Sequence, residues 1–203
     1  NELTVMIGMA DQIHDKTNEP ETREAASKIK DAASKLSQLS DEANTIQQVL
    51  GEVASVRPIK LSSLADSVIK DCEERFESAD ITVDISAELT VSANEQLQIV
   101  LRSLLDNAIR HNNSPNPQAH LSAATHDSDT IEVAVVDNGP GIPQTEQRII
   151  TEKAEITQLD HGSGLGLWLV KWIVDGYGGW LDIETPESGG SIVRLYLNTA
   201  DGY

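Results

Sequence analysis

The sequence predicts an α+β protein in two parts, a helical hairpin over residues 1–53 followed by an α/β sandwich over residues 58–203. Three observations predict it. Apolar residues recur at heptad spacing along the first part. Gly51 and the Arg57-Pro58 step then interrupt the pattern, because the residue before a proline is pushed away from helical backbone. Beyond that step, strand-like and helix-like runs are segregated rather than strictly alternating, which suggests helices covering one face of a mixed sheet.

In the first part, Leu3, Met6, Ile7, Ala10 and Ile13 fall at helical spacing until Thr17-Asn18-Glu19-Pro20 breaks the run. A second helix starts near Glu21, with acids in its first turn where the helix dipole favours them. Ile29, Leu36, Ala43 and Leu50 repeat every seven residues, and Ala32, Leu39, Ile46 and Val53 repeat three places later. These are the a and d positions of a coiled coil. One hairpin cannot cover such a seam by itself, so pairing with a second copy into a four-helix bundle is expected. The alternative is a hairpin docked on the rest of its own chain.

In the second part, Ile59 to Leu61 reads as a short strand and Ser62 to Ser78 as an amphipathic helix with Leu64, Val68, Ile69, Cys72 and Phe76 on its apolar face. Ile81 to Ile85 alternates as a strand does. Asn94 to His111 is a strong helix whose inner face carries Leu97, Val100, Leu101, Leu104, Leu105, Ala108 and Ile109. The turn cluster Asn113 to Pro117 ends it, and strands follow at Ala119 to Thr125 and Thr130 to Val136 around a polar turn at Asp127. Gly162, Gly164 and Gly166 lead into a helical pattern through Leu167, Val170, Ile173 and Val174. Trp180 to Glu184 and Ser191 to Asn198 form a closing hairpin through Gly189-Gly190. Trp168, Trp172 and Trp180 fall at apolar-face positions and are expected to pack.

The 203 residues include 33 acids and 15 bases, a net charge of −18 that disfavours duplex nucleic acid or an anionic membrane as partner. Residues 1–52 carry ten acids and five bases, so the excess is spread along the chain rather than gathered in a tail. Dense carboxylates of this kind suit either an ordinary acidic cytosolic protein or one adapted to high salt, where screening relieves their repulsion; the second is the expectation. Cys72 stands alone, which excludes an intrachain disulfide and points to a reducing compartment. No run is long enough to span a membrane and no signal segment opens the chain, so a cytoplasmic location is expected. The chain begins inside an apolar periodic run, and upstream segments of a longer protein could attach it to a membrane.

Glycines followed by a helix start offer bare backbone N–H groups and a positive dipole end to an anion. The spacing of Gly162, Gly164 and Gly166 fits neither the dinucleotide-binding fingerprint nor a P-loop, so alone this loop implies little. Two further segments change that. Asp106-Asn107-Ala108-Ile109-Arg110 places an asparagine within an apolar helix, where propensity disfavours it. The strand ending at Val136 runs into Asp137-Asn138-Gly139-Pro140-Gly141, which by itself could be a hairpin turn. In this order the three segments resemble the N, G1 and G2 boxes of the ATP-binding domain of sensor histidine kinases. That family belongs to the gyrase, heat-shock-protein-90, kinase and mismatch-repair ATPase superfamily. The resemblance covers residues 58–198, implies a Bergerat fold, and in Gly-Ser-Gly-Leu-Gly-Leu-Trp-Leu-Val is similar to kinases of halophilic archaea.

The resemblance implies roles position by position. Asn107 would be the catalytic asparagine and complete the oxygen shell of a Mg²⁺ held by the ATP triphosphate. Arg110 would contact phosphate, and His111 would join the nucleotide-binding set. Asp137 would accept the adenine amino group, with Gly139, Gly141 and Ile142 passing close to the base. Gly162, Ser163, Gly164, Leu165, Gly166 and Leu167 would lie along the phosphates. Residues 142–161 form a twenty-residue connection that would be a lid over ATP, with Arg148 as a phosphate contact and Lys153 second to it. The family's phenylalanine-bearing box is absent from that lid, where Ile149 and Ile150 stand. Ser103 replaces the usual first asparagine of the N box, and a serine there disfavours water-activated hydrolysis. His111, His120, His126 and His161 show no metal-ligand spacing.

The family's phosphorylated histidine sits in an H-x-x-x-N-x-L context, and Asn1-Glu2-Leu3 resembles the end of that box. The acceptor is therefore expected four residues before Asn1, which would make Asn1 the position that orients water for phosphatase action. His14 to Asn18 imitates the box but lies six residues before Pro20, at a helix end. The implied activity is autophosphorylation by ATP in a homodimer and relay to the aspartate of a response-regulator receiver domain. The alternatives are a nucleotide-binding regulatory module without kinase activity and an ATP-hydrolysing clamp of the same superfamily.

Overall fold

The computed structural model describes residues 2–50, 55–76, 78–144, 147 and 164–200. The chain divides into two compact units, residues 1–52 and 53–203.

The first unit is a helical hairpin of α1 (Glu2–Lys16) and α2 (Pro20–Leu50). Pro20 opens α2 itself, a position that suits proline because the first helical N–H needs no partner. The linker is fixed locally: the Glu19 N–H donates to Thr17 Oγ1 at 3.2 Å and Arg23 donates to the Thr17 carbonyl at 2.9 Å. The two helices meet through small residues, with Ala10, Ala26 and Ala33 buried, and Lys30 pairs with Asp11 at 2.7 Å across the hairpin. The described part of the heptad seam lies on another face, the side chains of Leu39, Ala43, Ile46, Leu50 and Val53 falling outside the described residues. Ile29 and Leu36, its first two a positions, are 47 % and 54 % exposed, as are Val5, Met6, Met9 and Ile13 to a similar degree.

The second unit contains β1 (Arg57–Lys60), α3 (Leu61–Arg75), β2 (Asp80–Ile85), β3 (Thr90–Ala93), α4 (Gln96–Arg110), β4 (Gln118–Thr125), β5 (Thr130–Asp137), α5 (Gly164–Gly176), β6 (Trp180–Glu184) and β7 (Ile192–Asn198). Five strands form one sheet in the order β2-β4-β5-β7-β6, parallel only between β2 and β4. The register places Leu121 opposite Val135, Val133 opposite Leu195 and Val135 opposite Val193. Side chains alternate across a strand, so these residues share the face that packs on the helices. Leu97, Leu101, Leu105, Val68 and Ile173 fill the layer between, all essentially inaccessible. Helices thus cover one face of a mixed sheet, as expected. The other face is polar: Arg194 reaches Glu184 at 3.0 Å, Asp182 at 3.5 Å and Glu132 at 3.9 Å.

The start of α4 is tied to the distant end of α5. Asn94 Oδ1 accepts the Gln96 N–H at 2.8 Å and the Tyr177 hydroxyl at 2.6 Å, and burial raises the Tyr177 pKa. Cys72 is buried, as expected, and burial pushes its thiol up to about 11, with Asp106 adding to the effect.

Three expectations are corrected. Strand β3 is not predicted by the sequence, because four residues alternating Val91 and Ala93 inward are too short for a period to register. It pairs with β1, which begins at Arg57 and ends where Leu61 opens α3. The tryptophans are not all core residues: Trp172 is 39 % and Trp180 45 % exposed, the latter stacked on Tyr196 on the polar face at 4.6 Å. Among the described residues no helix is long and apolar enough to cross a membrane.

Candidate nucleotide site

A cavity of about 300 Å³ opens between α4, the end of β5, the turn after it, α5 and β7. Helix α4 contributes Leu104, Asn107, Ala108 and His111, one stripe at helical spacing. Val135 and Asp137 come from β5, Pro140 to Pro143 from the turn, Leu167 from α5, and Ser191 and Val193 from β7. The lining is mostly apolar with a few polar groups converging, the usual character of a small-molecule site.

Asp137 is the best-held polar group. Its Oδ1 accepts the Gly139 N–H at 2.7 Å and its Oδ2 accepts the Ser191 hydroxyl at 2.6 Å. An ionised carboxylate offers about four acceptor sites, so two bonds fix its orientation and leave acceptor capacity toward the cavity. The backbone repeats the tie, with the Asp137 N–H donating to the Ser191 carbonyl at 3.0 Å. Ser191 was not among the residues singled out in the sequence. It follows Gly189-Gly190, which read only as a turn, and its partner lies 54 positions away.

Asp137-Asn138-Gly139 is not a hairpin turn. Asn138 Oδ1 accepts the Gln118 N–H at 2.9 Å and Asn112 Nδ2 at 2.7 Å, while its Nδ2 donates to the Asn116 carbonyl at 3.1 Å. The side chain therefore ties the end of β5 to the loop after α4. The Gly190 N–H donates to the Gly139 carbonyl at 2.8 Å, and Gly190, with φ +82°, lies so close to the Asp137 carbonyl that a Cβ would collide with it.

At the other end, Gly166 in the first turn of α5 faces α4. A Cβ there would meet Ser103 Oγ at 3.2 Å and Asn107 Nδ2 at 3.7 Å. Gly166 and the small Ser103 let the two helices approach beside Asn107.

The structure brings together Asn107, His111, Asp137, Gly141, Ile142 and Leu167 around the cavity. Gly139 supports Asp137, and Gly166 supports Asn107. Arg110 is elsewhere: it pairs with Asp106 at 3.7 Å and lies 5.4 Å over the Phe76 ring, on the side of α4 that faces α3. Arg75 holds the same Asp106 with both guanidinium nitrogens, at 2.8 and 3.1 Å. Gly164 and Leu165 are in the first turn of α5. Asn1, Arg148, Lys153, Ile149, Ile150, His161, Gly162 and Ser163 lie outside the described residues. Among the described residues no three His, Cys, Asp or Glu side chains gather as a metal-binding group, and Asn107 is the oxygen donor that α4 presents to the cavity.

The family profile for "Histidine kinase-, DNA gyrase B-, and HSP90-like ATPase" matches residues 92–201. The adaptive-response sensory kinase SasA of Synechocystis sp. is 34% identical over 145 residues, 66% of this chain and 37% of that protein. The circadian input-output histidine kinase CikA of Synechococcus elongatus is 28% identical over 214 residues, 96% of this chain and 28% of that protein. The chain thus spans well under half the length of these curated relatives. Among solved structures, a mycobacterial sensor histidine kinase, MprB, superposes with a TM-score of 0.61 at 23% identity, covering 71% of this chain and 97% of that one. Full-length ShkA in complex with AMPPNP superposes with a TM-score of 0.66 at 22% identity, covering 99% and 44%. These last two likenesses establish a common fold. The chain belongs to the histidine kinase-, DNA gyrase B- and HSP90-like ATPases.

Proposed function

We propose that this chain is the core of a sensor histidine kinase, in which the second unit binds ATP·Mg²⁺ and the γ-phosphoryl passes to a histidine of the helical bundle for relay to a response-regulator aspartate. The observation that carries the reading is Asp137, oriented by Gly139 and Ser191 with free acceptor capacity toward an apolar cavity. An adenine amino group would donate to it, whereas the guanine carbonyl would face it acceptor to acceptor. Asn107 would supply one oxygen to Mg²⁺, the phosphates and water most of the rest, and the cation would neutralise charge on the transferring group. Arg110 must leave Asp106 to meet phosphate. That exchange is easy because its contact is long and part-exposed and Arg75 keeps Asp106 satisfied. Arg148 and Gly162 to Gly166 complete the phosphate side in this reading. Positioning and charge stabilisation then carry the catalysis.

The outward seam of Ile29 and Leu36 supports a homodimer built as a four-helix bundle. The net charge of −18 supports a salt-adapted surface, and the lone Cys72 fits a reducing, cytoplasmic compartment, though upstream segments of a longer protein would decide membrane attachment. Ser103, one turn before Asn107, has no carboxylate to activate water, which weighs against an ATP-hydrolysing clamp. It is compatible with the second reading, a regulatory module that binds nucleotide without transferring phosphate. A chain extended upstream of Asn1 tests the proposal: it should take label from ATP marked at the γ-phosphate and lose it on Asn107→Ala. Label at His14, whose exposed ring pairs with Asp15 near the end of α1, would refute the upstream acceptor. Unimpaired ATP binding with no transfer would favour the regulatory module.

A further inference from the structure

We infer that Thr185 and Gln147 form a clasp that positions the Gly141–Ile142 wall of the cavity, an inference that rests on the nucleotide reading above. Gln147 Nε2 donates to the Ile142 carbonyl at 2.7 Å and to Thr185 Oγ1 at 3.0 Å. The Thr185 hydroxyl in turn donates to the Ile142 carbonyl at 3.4 Å. One backbone oxygen is thereby held by two side chains that do not themselves line the cavity. The Thr185 methyl group also explains the glycine at position 141. It lies 2.5 Å from where a Cβ of residue 141 would stand, so it occupies the space that Gly141, at φ +85°, leaves open. Thr185 follows β6 directly, and the Gln147 N–H is bonded to the Pro143 carbonyl at 3.1 Å. The wall between two prolines, Pro140 and Pro143, is thus braced from the sheet on one side and from the next turn on the other. Gly141 and Ile142 would lie against the base, so the clasp acts on the base end and not on the phosphates.

Calorimetric titration of the full chain with adenosine, ADP and ATP tests this. Gln147→Leu should weaken all three by about fivefold, and Thr185→Val by about threefold, as expected when one hydrogen bond supporting a site is lost. Thr185→Ser should bind within twofold of the wild type, because the hydroxyl remains; this rescue would not follow if Thr185 merely filled space. The double variant should be little weaker than Gln147→Leu, because both changes act through one carbonyl. Losses that grow with the number of phosphates, affinities equal to wild type, or a Thr185→Ser as weak as Thr185→Val would each overturn the clasp. If the wild type binds none of the three ligands, the nucleotide reading fails instead. Amide hydrogen exchange at Gly141 and Ile142 in the free protein then still tests the clasp. Faster exchange in Gln147→Leu supports it, and unchanged exchange overturns it.

Discussion

The two units solve the burial problem differently. The second packs α3, α4 and α5 on one face of a five-stranded sheet and makes Leu97, Leu101, Leu105, Leu121 and Leu195 inaccessible. The hairpin joins its helices through Ala10, Ala26 and Ala33, residues that let backbones approach but remove little apolar area from water, and among its described side chains Val5, Met6, Met9, Ile13, Ile29 and Leu36 stay exposed. A sheet-and-helix unit of this kind contains its own reason to fold. The exposed Ile29 and Leu36 of the hairpin support the proposed self-association.

The largest effect should come from attacking that difference at the seam. Ile29→Lys with Leu36→Lys should weaken self-association by about a hundredfold or more, since it brings two charges from each protomer into a bundle interface. It should leave nucleotide affinity unchanged. Sedimentation across a dilution series reads the first and calorimetry the second; an undiminished dimer would mean that the seam is not the interface.

Next in size is the core of the second unit. Leu101→Ala should destabilise it by about 2 to 5 kcal/mol, the range for a large buried side chain that leaves a cavity. A denaturant midpoint that does not move would contradict the tight packing of α4 around Leu101.

Alkaline pH separates the units more gently. Cys72 is raised from 9.0 to about 11, and Tyr177 is raised above its ordinary 10.0, both chiefly by burial. A group whose folded pKa lies above its unfolded value stabilises the fold fully below the unfolded value and loses that contribution as pH rises. The second unit should therefore lose stability from about pH 9 upward, with the Cys72 part gone near 11. Cys72→Ala should flatten the first part of that decline. The hairpin has neither cysteine nor tyrosine. Its Lys30, raised by its hydrogen bond to Asp11 and that carboxylate's charge, gives way only above its ordinary 10.5.

The smallest expected effect is that of salt. If the surface is salt-adapted, melting temperature should rise by several degrees between low and molar KCl as carboxylate repulsion is screened. A flat series would assign the net charge of −18 to an ordinary acidic surface.

Much of the site was legible because its parts announce themselves locally. The inner face of α4 follows from helical period, and Asn107 stands out as a polar residue among Leu104, Leu105 and Ala108. Asp137 was legible only through the order of three motifs. What local pattern could not give were contacts made across the sheet or between helices. Ser191 holds Asp137 from a strand 54 positions later. Arg110 is drawn toward α3 by Asp106 and Phe76, which spacing along α4 cannot reveal. Trp180 alternates as a strand residue should, but the face it occupies is decided by its partner Tyr196 on β7. Thr185 and Gln147 carry no signal in composition or period, since their roles arise from where the chain folds back on Ile142.

The proposed function turns on the cavity beside Asp137 as an adenine site. Its most direct test is calorimetric titration of ATP and GTP into the wild type and Asp137→Ala. ATP should bind, GTP should bind far more weakly, and Asp137→Ala should lose about ten- to a hundredfold in ATP affinity, as for a lost hydrogen bond to a charged group. Equal binding of ATP and GTP, unaltered by Asp137→Ala, would contradict it.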